Sequence, residues 1–166
     1  MDYLTDFNLG KLVSKANDLN PPTASAALDV IAELKVELPG KNVVVIGAGV
    51  LVGKPLSIML INAGATVTVC NSRTKDVADK CKKADIIISC VGKRNLVTKK
   101  MIKKGAVVID IGFVFENGTV SGDVDVAEVV KRAAFVTPTP GGIGPITVAN
   151  LLKNVVFTAE NKNKIP

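Results

Sequence analysis

The sequence predicts an α/β protein of the Rossmann type, with a doubly wound parallel sheet, helices on both faces and a packed N-terminal segment. Three observations predict this fold. Short apolar runs that are typical of strands buried on both faces recur along the chain, and stretches with helical character separate them. The first of these strands is followed by a glycine-rich loop that opens a helix. Strands that alternate with helices form a parallel sheet with right-handed crossovers.

The first half of the chain starts with a weak pattern and then becomes regular. We expect residues 2–22 to be irregular, because their only apolar pattern is short. Thr23 is the expected cap of a helix that runs to about residue 37. The next elements are predicted at 43–46 (strand), 52–62 (helix) and 65–70 (strand).

The second half continues the alternation. Its predicted elements are a charged helix at 75–83, a strand at 85–90, a short helix at 98–103, a strand at 106–110, a hairpin at 113–115 and 119–120 around an Asn117-Gly118 turn, a helix at 126–133, a short strand at 135–136 and a helix at 146–160. We expect one domain over residues 1–166. Residues 23–160 form its core, 1–22 are a linker or the remnant of another domain, and the end of the chain is frayed.

Composition excludes several classes of function. The 21 Lys and Arg residues exceed the 15 Asp and Glu residues by a net charge of +6, which favours an anionic ligand. The basic residues are scattered and aromatics make up only 4%, so no nucleic acid partner is predicted. The chain has no histidine, which excludes Ser-His-Asp triads and His-ligated zinc, and we expect no metal site.

The cysteines and the apolar runs bear on location. The three cysteines contain no C-x-x-C pair, and an odd number of thiols suits a reducing compartment. No apolar run approaches the ~20 residues that span a bilayer. We therefore expect a cytoplasmic protein without a membrane partner.

The loop after the first strand carries the main functional signal. Gly47, Gly49 and Gly53 form a G-x-G-x-x-x-G pattern between a buried strand and a helix, and Ala48 lies within it. This context directs free backbone N–H groups and the positive end of a helix toward a pyrophosphate. The alternative is a glycine turn that only allows close packing.

The end of the second strand indicates which dinucleotide binds. NAD sites usually place an acidic residue there for the ribose 2′-hydroxyl, but this chain has no acid before Asp76. It has Ser72, Arg73 and Thr74 instead, which suit a 2′-phosphate, so we predict NADP, with NAD possible. Alternatively, Arg73 is only a solvated loop charge.

Several segments identify a family. They are residues 45–49, 52–55, 62–72, 91–93, 105–112, 122–125 and the loop TPTPGGIGPIT at 137–147. In collinear order they resemble the NAD(P)-binding domain of methylenetetrahydrofolate dehydrogenase/cyclohydrolase. The resemblance implies NADP or NAD binding and hydride transfer between 5,10-methylene- and 5,10-methenyl-tetrahydrofolate, so a tetrahydrofolate derivative is the implied substrate.

The resemblance also implies roles for individual residues. Cofactor-binding positions carried over are Gly47, Ala48, Gly49, Ser72, Phe113 and Thr147, and Arg73 is a candidate replacement for an arginine that the family often has at position 48. Substrate-side positions are Gly141, Gly144 and Asp2, where Asp2 matches the acid of an Asp-Gly motif. No catalytic residue is carried over, because the family's Tyr and Lys belong to an N-terminal folate-side domain that is missing from this sequence.

Three hypotheses about the function remain open. The chain is an enzyme, or the cofactor-binding half of one, with the cyclohydrolase residues missing. Alternatively, it is a non-catalytic NADP-binding or assembly module that needs a partner folate domain. A weaker alternative is another NADP reductase, since residues 71–74 resemble shikimate-dehydrogenase-like domains.

The missing domain also leads us to expect self-association. Its loss should leave an apolar surface on the first and last predicted helices, at 23–37 and 146–160. The candidate residues for this surface are Leu28, Ile31, Leu151 and Val155. A homodimer is expected, or a partner that brings the folate domain.

Overall fold

The computed structural model describes residues 2–116 and 118–161. Five parallel strands form the central sheet, in the order β2-β1-β3-β4-β7. Their bounds are β1 (Asn42–Ile46), β2 (Thr66–Cys70), β3 (Ile86–Ser89), β4 (Val107–Asp110) and β7 (Phe135–Val136). A separate antiparallel hairpin joins β5 (Val114–Glu116) to β6 (Thr119–Ser121).

The strand order places a crevice between β1 and β3. From β1 the chain crosses to β2 on one side, and it then crosses back to β3 on the other side of β1. The loops at the carboxyl ends of β1 and β3 therefore leave the sheet in opposite directions. In open parallel sheets, ligands bind outside the carboxyl ends at such a switch point.

Helices cover both faces of the sheet, as predicted. The helices are α1 (Asp6–Val13), α2 (Pro22–Glu33), α3 (Gly53–Asn62), α4 (Val77–Cys81), α5 (Val126–Val129), α6 (Ile143–Glu160) and a 3₁₀ turn at Lys99–Met101. Along β1, Val43 and Val45 belong to one apolar core, while Val44 and Ile46 belong to the other. Because neighbouring strand residues point to opposite faces, a sheet covered on both sides needs this continuous apolar run.

The N-terminal segment is more regular than the sequence indicates. Residues 6–13 form α1, which packs against α3, and its Leu12 is buried. The Leu12 carbonyl accepts a hydrogen bond of 2.9 Å from the Asn62 side chain. The helical pattern in this segment is too short to be recognised without the surface on which it packs.

Several predicted helix boundaries are wrong. Thr23 does not cap α2, which begins at Pro22 with Pro21 in the cap position and no side-chain cap. Proline is favoured in the first turn because its fixed φ suits the helix and its missing N–H is not needed there. The helix predicted at 126–133 ends at Val129, and the one predicted at 98–103 is only a 3₁₀ turn. Asn117 and the tail after residue 161 lie outside the described residues.

The predicted apolar surface is also wrong in its residues. Ile31 is buried, and Leu28, Leu151 and Val155 are partly buried, where α2 and α6 form their extensive contact. The exposed apolar face of α6 lies beside them, at Val148, Leu152 and Val156, which are each 56–60% exposed. We call these three residues the α6 stripe, since four-residue spacing keeps them on one face of the helix. Within the described residues, no helix has the length and apolar character needed to cross a membrane.

Candidate dinucleotide site

An open cleft of ≈ 670 Å³ lies at the switch point, and we call it the Gly47 cleft. Its walls come from the loops at the carboxyl ends of β1, β2 and β3. The lining residues are Ile46, Gly47, Ala48, Gly49, Cys70, Asn71, Ser72, Thr74, Val77, Cys90, Val91, Lys93, Leu96 and Met101. The sequence predicted four of these as cofactor residues, namely Gly47, Ala48, Gly49 and Ser72, and the fold brings them together.

The three glycines of the loop differ in whether the fold requires them. Gly47 has a φ of +116°, and a Cβ there would lie 2.8 Å from the Cys90 carbonyl oxygen. A Cβ at Gly53 would lie 1.9 Å from the Gly47 carbonyl oxygen, so Gly53 allows α3 to start against the loop. Gly49 is different, because a Cβ there would meet nothing within 4 Å. The fold therefore requires Gly47 and Gly53, while the space at Gly49 is open to a ligand.

The first turn of α3 faces this loop without a side-chain cap. Its cap residue, Val52, has no side-chain oxygen to accept the first N–H groups of the helix. The Lys54 N–H is satisfied by the Gly49 carbonyl oxygen at 2.9 Å. Pro55 has no N–H, and the Leu56 N–H donates to the Val52 carbonyl oxygen at 2.9 Å. It is therefore the positive end of the helix dipole, rather than a set of free N–H groups, that suits the pyrophosphate of a dinucleotide.

The loop after β2 is held by its own side chains. The Asn71 side chain accepts a hydrogen bond from the Arg73 N–H at 2.9 Å, and the Thr74 hydroxyl accepts one from the Asn71 N–H at 2.9 Å. This turn places Ser72 and Thr74 on the cleft wall. Arg73 is exposed and does not line the cleft, whereas Lys93 does, so Lys93 is a cation that the sequence analysis did not assign.

Two buried carboxylates lie behind the cleft. Asp123 accepts hydrogen bonds from the Ser89 hydroxyl at 2.6 Å and from the N–H groups of Val91 at 2.7 Å and Lys93 at 2.6 Å. Asp110 accepts from the N–H groups of Gly112 at 2.9 Å, Asp123 at 3.0 Å and Val124 at 3.1 Å. Both carboxylates are almost fully buried. They join the loop after β3, the end of β4 and the segment after β6.

Burial shifts the acid–base behaviour of this region. It raises the pKa of Asp110, and the nearby Asp123 carboxylate adds to the rise, while the three backbone N–H donors oppose it. Burial, with a smaller contribution from Asp123, raises the pKa of the Cys90 thiol to about 11. Cys90 therefore stays a thiol near neutral pH and is not a reactive nucleophile in the cleft.

A second, smaller cleft of ≈ 330 Å³ opens on the same edge of the sheet, and we call it the Pro140 cleft. It lies between the end of β4 and the loop that enters α6. The lining residues are Thr23, Asp110, Ile111, Gly112, Phe113, Val120, Thr139, Pro140, Gly141, Gly142, Ile143, Gly144, Pro145 and Thr147. The sequence predicted Phe113, Thr147, Gly141 and Gly144 as site residues, and all four line this cleft.

Steric constraints explain two of the glycines in the loop of the Pro140 cleft. The Thr139–Pro140 peptide bond is cis, and Gly141 has a φ of +96°. A Cβ at Gly142 would lie 2.3 Å from the Pro138 carbonyl oxygen, whereas one at Gly144 would meet nothing within 4 Å. Gly142 is thus a structural requirement that the sequence analysis missed, and Gly144 leaves open space.

The remaining predicted residue lies elsewhere. Asp2 is exposed and lines neither cleft, so its role toward the substrate stays a prediction. Sequence reasoning also missed the roles of Ser89 and Asp123. Two signals were available, namely the polar Ser89 at the end of an apolar strand and Asp123 between Gly122 and Val124. The sequence pattern did not connect them, because the two residues lie 34 positions apart.

The comparisons with known proteins agree with this geometry. The family profile described as "Tetrahydrofolate dehydrogenase/cyclohydrolase, NAD(P)-binding domain" matches residues 21–163. The chain belongs to this family. The matched part is the domain of the family that binds NAD(P), which confirms the predicted ligand class, NADP or NAD. The parallel sheet confirms the predicted fold class.

Individual relatives support the same assignment. The bifunctional protein FolD of Nautilia profundicola is 46% identical over 162 residues, which is 97% of this chain and 57% of that protein. The structure of the FolD methylenetetrahydrofolate dehydrogenase/cyclohydrolase of Campylobacter jejuni matches with a TM-score of 0.92 and 41% identity, over 97% of this chain and 58% of that one. The Trypanosoma brucei enzyme, solved with NADP and an inhibitor, matches with a TM-score of 0.91 and 39% identity, over 99% of this chain and 59% of that one.

The coverage sets a limit on what the family membership implies. The chain spans somewhat more than half the length of the relatives that it matches. The part shared with them is the one that binds the dinucleotide, and its two clefts are the features from which a function can be inferred.

Proposed function

We propose that this chain is the NADP-binding part of a methylenetetrahydrofolate dehydrogenase, which transfers a hydride between 5,10-methylenetetrahydrofolate and NADP. The observation that carries the proposal is that both clefts open on the carboxyl edge of one parallel sheet. The Gly47 cleft suits a pyrophosphate and a ribose, and the Pro140 cleft lies beyond β4 on the same edge. A dinucleotide that runs from the first to the second would have its nicotinamide end beside the Pro140 cleft.

The preference for NADP over NAD rests on the end of β2. Ser72 and Thr74 line the Gly47 cleft there, and the first acidic residue after the end of β2 is Asp76. A carboxylate would repel a 2′-phosphate, whereas hydroxyl groups and a nearby cation stabilise it. Arg73 belongs to the exposed turn that carries Ser72 and Thr74, and Lys93 lines the same cleft from the loop after β3.

Hydride transfer does not require acidic or basic side chains in the Pro140 cleft. The nicotinamide ring accepts or supplies the hydride, and the protein mainly aligns the two reacting carbons. Among the described residues that line this cleft, Asp110 is the one ionisable group, and its carboxylate is occupied by three backbone N–H donors. The cleft therefore suits alignment, but it supplies no residue for the proton transfers of cyclohydrolase chemistry.

A folate domain from a partner chain or from another part of the protein would complete the site. The exposed α6 stripe supports this proposal, since the helix that begins at the Pro140 cleft carries it. A homodimer formed through the same stripe is the alternative partner arrangement. Sedimentation that shows a monomer at high concentration would contradict the homodimer. We also propose a cytoplasmic location, which the three free thiols support.

Activity assays with and without a folate domain test the proposal. The chain alone is expected to bind NADP⁺, to form NADPH from methylenetetrahydrofolate weakly or not detectably, and to lack cyclohydrolase activity. Alignment of the reactants lowers an activation barrier by ~7–11 kcal/mol, and positioned proton transfer raises a reaction rate about 10²–10⁴-fold. The chain without a folate domain loses both contributions. Adding the folate-side domain of a full-length relative should restore NADPH formation, measured by absorbance.

The possible outcomes of this assay are distinct. Failure to bind either dinucleotide would overturn the proposal. Binding without restored turnover would favour the non-catalytic module instead. Ordinary enzyme rates from the chain alone would show that its own residues supply the folate side, and Lys54 and Lys93 would be the first bases to examine.

A further inference from the structure

The loop at residues 90–93 forms one wall of the Gly47 cleft, opposite the glycine loop. Cys90, Val91 and Lys93 of this segment line the cleft. The backbone N–H groups of Val91 and Lys93 both point away from the cleft, to the carboxylate of Asp123 at 2.7 and 2.6 Å. This wall of the cleft is therefore anchored by a side chain 30 residues further along the sequence.

The structure around Asp123 is adapted to hold its carboxylate in place. The Asp123 backbone N–H donates to Asp110 at 3.0 Å, which fixes the residue that does the anchoring. Two glycines leave room for the pair, because a Cβ at Gly112 would lie 2.1 Å from Asp123 Oδ1 and one at Gly122 would lie 1.9 Å from Asp110 Oδ2. Neither glycine has a positive φ, so the carboxylates, and not the backbone conformation, exclude a side chain there.

We propose that Asp123 is a positioning residue for the dinucleotide: its carboxylate holds residues 91–93 in the conformation that forms the wall of the Gly47 cleft before the cofactor arrives. The inference rests on the proposed function, since it assumes that the cleft binds a dinucleotide. Hydrogen bonds to a charged, buried acceptor are stronger than those between neutral groups, so this one side chain can order an otherwise exposed loop.

An Asp123→Asn variant tests the role with little change in shape. Asp123 Oδ1 accepts from Lys93, and Oδ2 accepts from Val91 and Ser89. In either orientation of the Asn amide, its NH₂ group faces one of the two loop N–H groups, which then loses its acceptor. The Ser89 hydroxyl can rotate to accept from the amide, but a backbone N–H has no such choice.

A Ser89→Ala variant is the matched control. It removes the buried hydrogen bond that the Ser89 hydroxyl donates to the same carboxylate, but it leaves the N–H groups of Val91 and Lys93 bonded. Ser89 itself does not line the Gly47 cleft. Both variants should lower the thermal midpoint. At a temperature where both are fully folded, Asp123→Asn should weaken NADP⁺ binding at least about tenfold, while Ser89→Ala stays within about twofold.

Amide hydrogen exchange gives a readout that does not depend on the cofactor. In the wild-type chain without dinucleotide, the Val91 and Lys93 amides should already be protected. Asp123→Asn should raise their exchange rates, and Ser89→Ala should not. The wild-type measurement tests the inference even if the Asp123 variant does not fold.

Several results would overturn the inference. Protection of these amides that appears only after NADP⁺ is added would show that the cofactor orders the loop. Equal NADP⁺ affinity of Asp123→Asn and wild type, or equal losses in both variants, would show that Asp123 acts through general stability alone. If the wild type binds neither NADP⁺ nor NAD⁺, the proposed function fails as well, and that result is distinct because it needs no variant.

Discussion

The two clefts of this molecule differ in how much of a binding site the chain itself provides. The Gly47 cleft has walls from three loops that hydrogen bonds hold, namely the glycine loop, the Asn71 turn and the loop anchored by Asp123. The Pro140 cleft is half the volume and lies beside exposed apolar groups, including Phe113, which is 65% exposed.

The difference separates binding from catalysis. The chain belongs to a domain family that binds NAD(P), and the cleft that suits this ligand is already formed. The Pro140 cleft, lined by the end of β4 and the loop that enters α6, has no free acid or base among its described lining residues. We therefore expect changes in the Gly47 cleft to alter dinucleotide affinity directly, whereas the Pro140 cleft becomes useful only when a folate domain covers it.

The largest effect is expected for Gly53→Ala, which would break the Gly47 cleft. The new Cβ would lie 1.9 Å from the Gly47 carbonyl oxygen, so α3 and the glycine loop must separate. We expect the free energy of unfolding to fall by about 3 kcal/mol, at the upper end for overpacking. Dinucleotide affinity should fall about tenfold to a hundredfold, because the displaced glycine loop loses hydrogen bonds to the charged pyrophosphate, worth about 1.5–3 kcal/mol. Urea denaturation and NADP⁺ titration measure the two effects.

Gly49→Ala is the control for that prediction. The Cβ at this position would meet no atom within 4 Å, so stability should be unchanged. Any loss of affinity would then report that the dinucleotide itself occupies this space. Equal stability losses in the two variants would contradict the distinction between the structural glycine and the ligand-facing one.

A smaller and more selective effect is expected at the 2′-phosphate end of the cleft. Arg73→Ala should weaken NADP⁺ by about 1–3 kcal/mol, the range for a charged hydrogen bond, and leave NAD⁺ nearly unchanged. Isothermal titration with both dinucleotides measures the difference. Arg94→Ala is a control, since Arg94 is also exposed but does not line the Gly47 cleft. If Lys93→Ala shows the selective loss and Arg73→Ala does not, then Lys93 is the cation that binds the phosphate.

The smallest effect should come from a pair outside both clefts. A hydrogen bond from Lys103, with a second from the Asn42 N–H, holds the pKa of Asp85 below its ordinary value of 3.8. The ionised carboxylate therefore stabilises the fold above that value, and the stabilisation is lost as the pH falls through the lowered pKa. Asp85→Asn should cost less than about 1 kcal/mol at pH 7, because the pair is partly exposed.

Denaturation at two pH values checks this sign. The stability difference between wild type and Asp85→Asn should be present at pH 7 and shrink in strong acid. A difference that is constant with pH would mean that packing, and not charge, is involved. NADP⁺ affinity should be the same in both proteins, because neither Asp85 nor Lys103 lines a cleft.

Much of the fold was predictable because each strand carries its own signal. The apolar run at Val43–Ile46 needs both faces of a sheet, and the glycines that follow it need a tight turn, so local sequence determines both. The helix at the N-terminus was missed for the opposite reason. Its stability comes from packing Leu12 toward α3, a contact that no local pattern reports.

The candidate site divides in the same way. Gly47 and Ser72 were found because strand ends and glycine loops have recognisable spacing. Asp123 was not assigned a role, since its three hydrogen-bond donors lie 30–34 residues away and two of them are backbone groups. The exposed face of α6 was misplaced by one helical position, because a helix that is apolar nearly all round does not reveal which side its neighbour covers.

The strand order has a consequence for how the protein responds to its cofactor. The walls of the Gly47 cleft come from two portions of the chain, residues 46–77 and residues 90–101, which meet along the junction of β1 and β3. A dinucleotide that contacts both portions binds the native state and not the unfolded chain, so it stabilises the folded protein for as long as it stays bound. At a hundred times its dissociation constant, such a ligand adds about 2.7 kcal/mol to the free energy of unfolding. The cellular supply of dinucleotide would thus help to determine how long each molecule survives before proteolysis.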